Sequence, residues 1–194
     1  MVAALFIIDV QNDFTEGGAL GVAGGAAVAG DITNFLWANS EHYCVVVASR
    51  DWHDANNDNG GHFATDAEPN FVDTWPVHCV ADTNGAEYHP ALNTQQINVQ
   101  VRKGQGVPAY SIFEGVTDDG EALPALLDRL EVDRIDIAGI ATDYCVLASA
   151  MDAVATGRSV TVLTNLIAGV APESSAAALV TMKEAGITLA PDNE

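Results

Sequence analysis

The stretch Arg-Ile-Asp-Ile-Ala-Gly-Ile-Ala-Thr-Asp-Tyr-Cys (134–145) decides the fold. Its first seven residues are an isoleucine-rich run of strand length. After Ala-Thr-Asp-Tyr the pattern changes: Val146, Leu147, Ala150, Met151 and Val154 recur at helical spacing, and Gly157 closes the segment. Three more runs end in the same way. Ala-Ala-Leu-Phe-Ile-Ile (3–8) ends on Asp9, and Cys-Val-Val-Val-Ala-Ser-Arg (44–50) ends on Asp51, with His53 two residues on. Residues 97–102 end on Lys103. Strands alternating with helices predict a parallel α/β sheet. Such sheets bind ligands outside the carboxyl ends of their strands. An acid, a lysine, a thiol and a set of metal ligands should therefore share one rim.

The remaining elements fit this frame. Val28, Ile32, Phe35 and Leu36 fall on one helical face, as do Leu123, Leu126, Leu127 and Leu130, with Pro124 in the first turn. Strands are expected at 159–164 and 187–190, and a helix from Pro172 to Gly186. The chain reads as one domain over 1–194. Its irregular region, 51–96, is rich in Asn, Asp, Gly and Pro and holds four of the five histidines. Loops of that length in a compact domain are functional or disordered, and the histidines favour function.

Composition sets outer limits. Hydrophobic residues make up 48% of the 194, enough for an ordinary core. No apolar run approaches the roughly 20 residues of a membrane span. The first residues lack the basic cluster of a signal peptide, so a cytoplasmic chain is expected. With 7 basic and 27 acidic residues the net charge is −20, which argues against a nucleic-acid partner. An acidic host proteome or a saline habitat would account equally well for the charge. Three cysteines without a secretion signal suggest a reactive thiol rather than a disulfide framework. No Gly-x-Gly-x-x-Gly follows the first strand, which disfavours a dehydrogenase.

Cys145 is the thiol to consider. With Thr142 or Asp143 as helix N-cap it lies in a first turn, where free N–H groups and the dipole favour a thiolate and can receive an oxyanion. A small buried cysteine remains open on position alone. Cys44, opening an apolar strand, is assigned to the core, and Cys79 to a structural or spectator place. Asp9 ends a wholly apolar strand, where burial raises a carboxyl pKa; a capping aspartate is the plainer alternative. Lysine is scarce: besides Lys103 there is only Lys183. No histidine stands in the order of a cysteine–histidine pair, so the base would be a carboxylate. Asp51 and His53, two apart in an extended segment, point the same way. With His62 and His78 they form a carboxylate–imidazole set suited to Zn, Fe or Mn. His42 and His89 are read as structural.

Six blocks carry a family resemblance: Phe-Ile-Ile-Asp-Val-Gln-Asn-Asp-Phe (6–14), Ser-Arg-Asp-Trp-His (49–53), Gly-His-Phe (61–63), Thr-Trp-Pro-Val-His-Cys (74–79), Arg-Lys-Gly (102–104) and Gly-Ile-Ala-Thr-Asp-Tyr-Cys-Val (139–146). Together they resemble the nicotinamidase/pyrazinamidase branch of the isochorismatase-like cysteine hydrolases. The resemblance implies a three-layer α/β/α sandwich with about six parallel strands. It implies a catalytic set of Asp9, Lys103 and Cys145, and an oxyanion hole from the N–H groups of Ala141 and Cys145 behind a cis Ile140–Ala141 bond. The implied metal ligands are Asp51, His53 and His78, with His62 a further ligand in some relatives, across a run from His53 that is longer here. One divalent ion is expected, zinc first among zinc, iron and manganese, to anchor the ring nitrogen. Phe14 and Trp75 would sandwich the ring, with Tyr110 and Tyr144 as further walls. The implied reaction converts nicotinamide to nicotinate and ammonia through a cysteine thioester, in NAD salvage, with pyrazinamide also accepted. An amidase of the N-carbamoylsarcosine type, which lacks the metal cluster, and a non-catalytic metal-binding relative stand as alternatives. No membrane partner is expected; an oligomer is possible.

Overall fold

The structure is a computed structural model that describes residues 1–191. Seven strands form one sheet in the order β4-β3-β2-β1-β5-β6-β7. They are β1 (Ala3–Ile8), β2 (Val45–Asp51), β3 (Val99–Lys103), β4 (Val116–Thr117), β5 (Arg134–Ile140), β6 (Ser159–Ala168) and β7 (Thr188–Ala190). Six run parallel; the two-residue β4 is antiparallel at the edge beside β3. Its brevity hides it from sequence patterning.

Helices cover both faces, so the inner strands are apolar on both sides rather than alternating. In β1, Leu5 and Ile7 pack toward α1 (Gly25–Asn39) with Ile32, Phe35 and Leu36. Phe6 and Ile8 face the opposite layer, built by α2 (Leu123–Arg129), α3 (Leu147–Ala155) and α4 (Pro172–Glu184). No helix among the described residues is long and apolar enough to cross a membrane.

Three expectations need correction. β6 runs on to Ala168 instead of stopping at Thr164, because Thr164 and Asn165 interrupt the apolar pattern without ending the pairing; Gly139 and Ile140 pair with Ile167 and Ala168 after a register shift. Cys44 is exposed, not core, since it precedes the first residue of β2. Neither Thr142 nor Asp143 caps a helix over Cys145. The chain passes from Ala141 through a π-turn (Thr142–Val146), with Val146 N–H donating to Ala141 C=O at 3.0 Å. Asp143 serves α4 instead, accepting from Val170 N–H, Ala171 N–H and Ser174 Oγ at 2.9, 3.2 and 2.5 Å.

Strand order reverses at β1, which has β2 and β3 on one side and β5 and β6 on the other. Ligands bind at such a switch point. The β1–β5 seam is tight there. Gly139, at φ +121°, leaves no room for a side chain: an added Cβ would lie 2.1 Å from Ile8 C=O. We expect Gly139→Ala to cost about 2–4 kcal/mol through strain and overpacking, read by denaturant unfolding; wild-type stability would contradict this packing.

Candidate active site

Register fixes the first contact. Asp51 and Lys103 are Cα partners across β2 and β3, so their side chains leave the same face of the sheet. The Lys103 ammonium forms an ion pair with Asp51 and lies 2.9 Å from Asp9 Oδ2. It also lies 3.6 Å from Cys145 Sγ and 3.4 Å from Ala109 C=O. Asp9 follows β1 in the left-handed region (φ 46°), and its Oδ1 accepts from Ser49 Oγ at 2.7 Å. Asp9 and Lys103 are wholly buried, and Cys145 nearly so. The structure thus brings Asp9, Lys103 and Cys145 into one cluster, at the ends of β1, β3 and β5.

Burial shapes the proton affinities. Desolvation pushes Asp9 above the usual carboxylate range, opposed by Lys103 and assisted by Asp51. Burial acts the same way on Asp51, but Lys103 above all, with His53 and His78 beside the carboxylate, outweighs it and holds that carboxyl low. Burial drives the Cys145 thiol well up; Lys103 opposes this, while Asp9 and Asp51 add to it. Cys145 therefore rests as a thiol, its sulfur within 4.8 Å of an Asp9 carboxyl oxygen. The thiolate expected from a helix dipole is not the resting form, because desolvation and two carboxylates exceed the effect of a helix start.

Beside this cluster stand three buried histidines. Ligand atoms of His53, His62 and His78 lie within 4.8 Å of one another. Asp51 Oδ2 is 3.6 Å from His53 Nε2 and 3.8 Å from His78 Nε2. Backbone carbonyls fix two of the rings: His53 Nδ1 meets Gly104 C=O at 2.8 Å and His78 Nδ1 meets Pro76 C=O at 2.7 Å. Donation of Nδ1–H to a carbonyl leaves Nε2 as a lone pair, the usual arrangement of a metal-ligating histidine. His53 Nε2 and His62 Nδ1 are buried without a hydrogen-bond partner. Burial, with His53 and His78 adding, depresses His62 to a pKa of about 3, and burial likewise lowers His78. The lowered proton affinities of His62 and His78, and the orphaned nitrogens of His53 and His62 next to an ionised carboxylate, fit a divalent metal ion. Gly104 permits this packing: at φ +83°, any Cβ there would sit 2.5 Å from the His53 ring.

A cavity of about 290 Å³ opens over both groups. Asp51, His62, His78, Ala141 and Cys145 line it, together with the aromatic rings of Phe14, Trp75, Tyr110 and Tyr144. Phe14 packs against His78 with centroids 5.5 Å apart. Trp75 meets Tyr144 edge-on at 5.0 Å, and its Nε1–H donates to Tyr110 Oη at 3.0 Å. The Ile140–Ala141 bond is cis. Leu20, Val22, Phe71 and Val170 also line the space; nothing in their local pattern marked them.

The Isochorismatase domain model matches residues 3–193. The chain belongs to the isochorismatase family. It is 46% identical over 186 residues to the nicotinamidase/pyrazinamidase of Mycobacterium tuberculosis, covering 96% of this chain and 97% of that protein. Its fold is similar to the crystal structure of PnC1 from L. infantum in complex with nicotinate, with TM-score 0.82 and 36% identity over 98% of this chain and 92% of that one. It is also similar to the pyrazinamidase of Pyrococcus horikoshii in complex with zinc, with TM-score 0.82 and 34% identity over 98% and 99% of the two chains.

Two residues of this family member hold the site from behind, and sequence reasoning passed over both. Buried Gln11 grips the backbone of Asp51 like a neighbouring strand: Nε2 donates to Asp51 C=O at 2.9 Å and Oε1 accepts Asp51 N–H at 2.8 Å. Nε2 also reaches Ala86 C=O at 2.9 Å. Asp13 Oδ2 accepts Cys79 N–H at 2.7 Å, fixing the residue after His78. Their signal was only their place two and four residues after Asp9, within the Asp-Val-Gln-Asn-Asp block. Gln11→Met keeps the volume but leaves Asp51 N–H and C=O without this partner. A loss of about 2–4 kcal/mol in unfolding free energy is expected; an unchanged value would contradict the clamp.

Proposed function

We propose that the chain hydrolyses nicotinamide to nicotinate and ammonia, and accepts pyrazinamide, using Cys145 as nucleophile and Asp9 as proton carrier. One observation carries the proposal: a thiol lining the cavity lies against a buried lysine that is paired with a carboxyl of raised pKa, beside a carboxylate–trihistidine cluster that reaches the same cavity through Asp51, His62 and His78. The functions of the relatives named above agree with it.

The reaction follows from the resting protonation. Cys145 gives its proton to Asp9 as sulfur attacks the carboxamide carbon. N–H groups of Ala141 and Cys145 are assigned to the developing oxyanion; one such donor contributes about 2.7–4 kcal/mol. Protonated Asp9 passes its proton to the departing nitrogen, the C–N bond breaks and ammonia leaves a thioester on Cys145. Water then attacks the same carbon, giving a proton to Asp9. The C–S bond breaks as Asp9 returns that proton to sulfur, which restores the thiol and the ionised carboxylate, and the acid leaves as nicotinate, giving its proton to solvent. Lys103 stays charged and compensates whichever of Asp9 or Cys145 is anionic. The raised pKa of Asp9 suits it to both transfers, since a proton carrier works best when its affinity is near that of its partners. Phe14, Trp75, Tyr110 and Tyr144 enclose a flat ring and exclude water. A divalent ion held by Asp51, His53, His78 and His62, zinc being first choice for this donor set, would supply a Lewis-acidic anchor for a ring nitrogen. NAD salvage is the pathway this product fits.

The test is ammonia release from nicotinamide. Cys145→Ala is expected to lower turnover by about 10⁴-fold or more while bound metal is unchanged by elemental analysis. In His53→Ala and His78→Ala, metal is lost and activity with it. A chelator should stop wild-type turnover and metal add-back restore it. Near-normal rates in Cys145→Ala would end the covalent mechanism, and full activity in metal-free protein would end the role of the cluster.

A further inference from the structure

The segment that carries His62 to the cluster folds around one side chain. Between Asp54 and Gly61, Asn59 is buried and Ala55, Asn56, Asn57, Asp58 and Gly60 are exposed. Its Oδ1 accepts the N–H groups of Asp54 (2.8 Å) and Gly106 (3.1 Å). Its Nδ2 donates to the carbonyls of Asp54 (3.1 Å) and Asn57 (3.4 Å). Its own N–H donates to Asn57 Oδ1 at 2.8 Å, and its C=O accepts His62 N–H at 3.4 Å. Asparagine suits the place: it carries both donors and acceptors and tolerates the left-handed φ of 50° found here.

These bonds join three segments that converge on the cluster. Asp54 follows His53. His62 lies three residues after Asn59, and its C=O accepts Trp75 N–H at 2.9 Å. Gly106 lies two residues after Gly104, whose carbonyl holds the His53 ring. The run offers little apolar burial of its own, so little else fixes its course. The ring of His62 nevertheless arrives 4.8 Å from that of His53 and 5.2 Å from that of His78.

We propose that Asn59 is the positioning residue that places His62 in the metal site, although no Asn59 atom belongs to the ligand set. The proposal rests on the metal reading above and adds to it. Partners of this kind, behind the ligands, change metal affinity by about 10–100-fold when removed.

The test is Zn²⁺ affinity, measured by competition with a chromophoric chelator, in four proteins: wild type, Asn59→Gly, His62→Ala and the double variant. Glycine accepts the left-handed backbone, so Asn59→Gly removes the side chain without adding strain. Asn59→Gly and His62→Ala should each weaken binding about 10–100-fold, and the double variant should bind no more weakly than His62→Ala alone. A purely structural role would leave the two losses additive. Asn59→Asp keeps the Oδ1 acceptor, loses both Nδ2 donors and should fall between wild type and Asn59→Gly; combined with His62→Ala it replaces Asn59→Gly should that variant not fold. Additive losses, or wild-type affinity in the Asn59 variants or in His62→Ala, overturn the proposal and leave the other ligands standing. A wild-type protein that binds no zinc overturns the metal reading, and this proposal with it.

Discussion

One buried ammonium holds this site together. Lys103 lies in the interior between Asp9 and Asp51, within reach of the Cys145 sulfur. Taking a charge out of water costs several kcal/mol, recovered only where opposite charges and hydrogen bonds surround it. Here the same two carboxylates that compensate Lys103 face in different directions. Asp9 meets the thiol, and Asp51 meets His53 and His78. The proposed proton-transfer group and the proposed metal-ligand group are therefore two halves of one electrostatic unit. Desolvation lifts the proton affinity of Asp9, while Lys103 and the imidazoles keep Asp51 ionised. Two aspartates receive two roles from their surroundings alone.

The fold produces this unit through register. Parallel pairing of Asp51 with Lys103 places their side chains on one face. The reversal of strand order at β1 places the turn after Asp9 next to the turn after β5. Glycines let the pieces close: Gly139 brings β5 against the end of β1, and Gly104 brings its chain against the His53 ring. Gln11 and Asp13, on the same turn as Asp9, brace the segments that carry Asp51 and His78. A single short stretch after the first strand thus supplies the proposed proton carrier and the supports of its neighbours.

Much of this was legible in the sequence, because the signals are strong where chemistry interrupts an apolar run. Asp9, Asp51 and Lys103 each end such a run, and the sheet gathers run ends at one rim. The histidines at 53, 62 and 78 stood out as a group in an irregular stretch. What stayed hidden depends on three-dimensional partners. The π-turn after Ala141 and the diversion of Asp143 to α4 follow from α4 packing against that turn, which no local pattern displays. The resting state of Cys145 follows from its burial beside two carboxylates, not from its place near a helix start. β4 has too few residues for a period, and in β6 polar Thr164 and Asn165 interrupt the apolar run before pairing resumes at Ile167. Gln11 and Asn59 carried no local signal; their amides act across 40 and 47 residues of sequence.

The central claim is that sulfur, after yielding its proton to Asp9, carries the acyl group. Acid-quenched protein taken during turnover of nicotinamide and examined by peptide mass spectrometry tests it most directly. The account requires a nicotinoyl group on the peptide containing Cys145, formed as ammonia is released and lost as nicotinate appears. Undiminished turnover with that peptide unmodified at every quench time, under conditions that preserve a synthetic thioester standard, would contradict it.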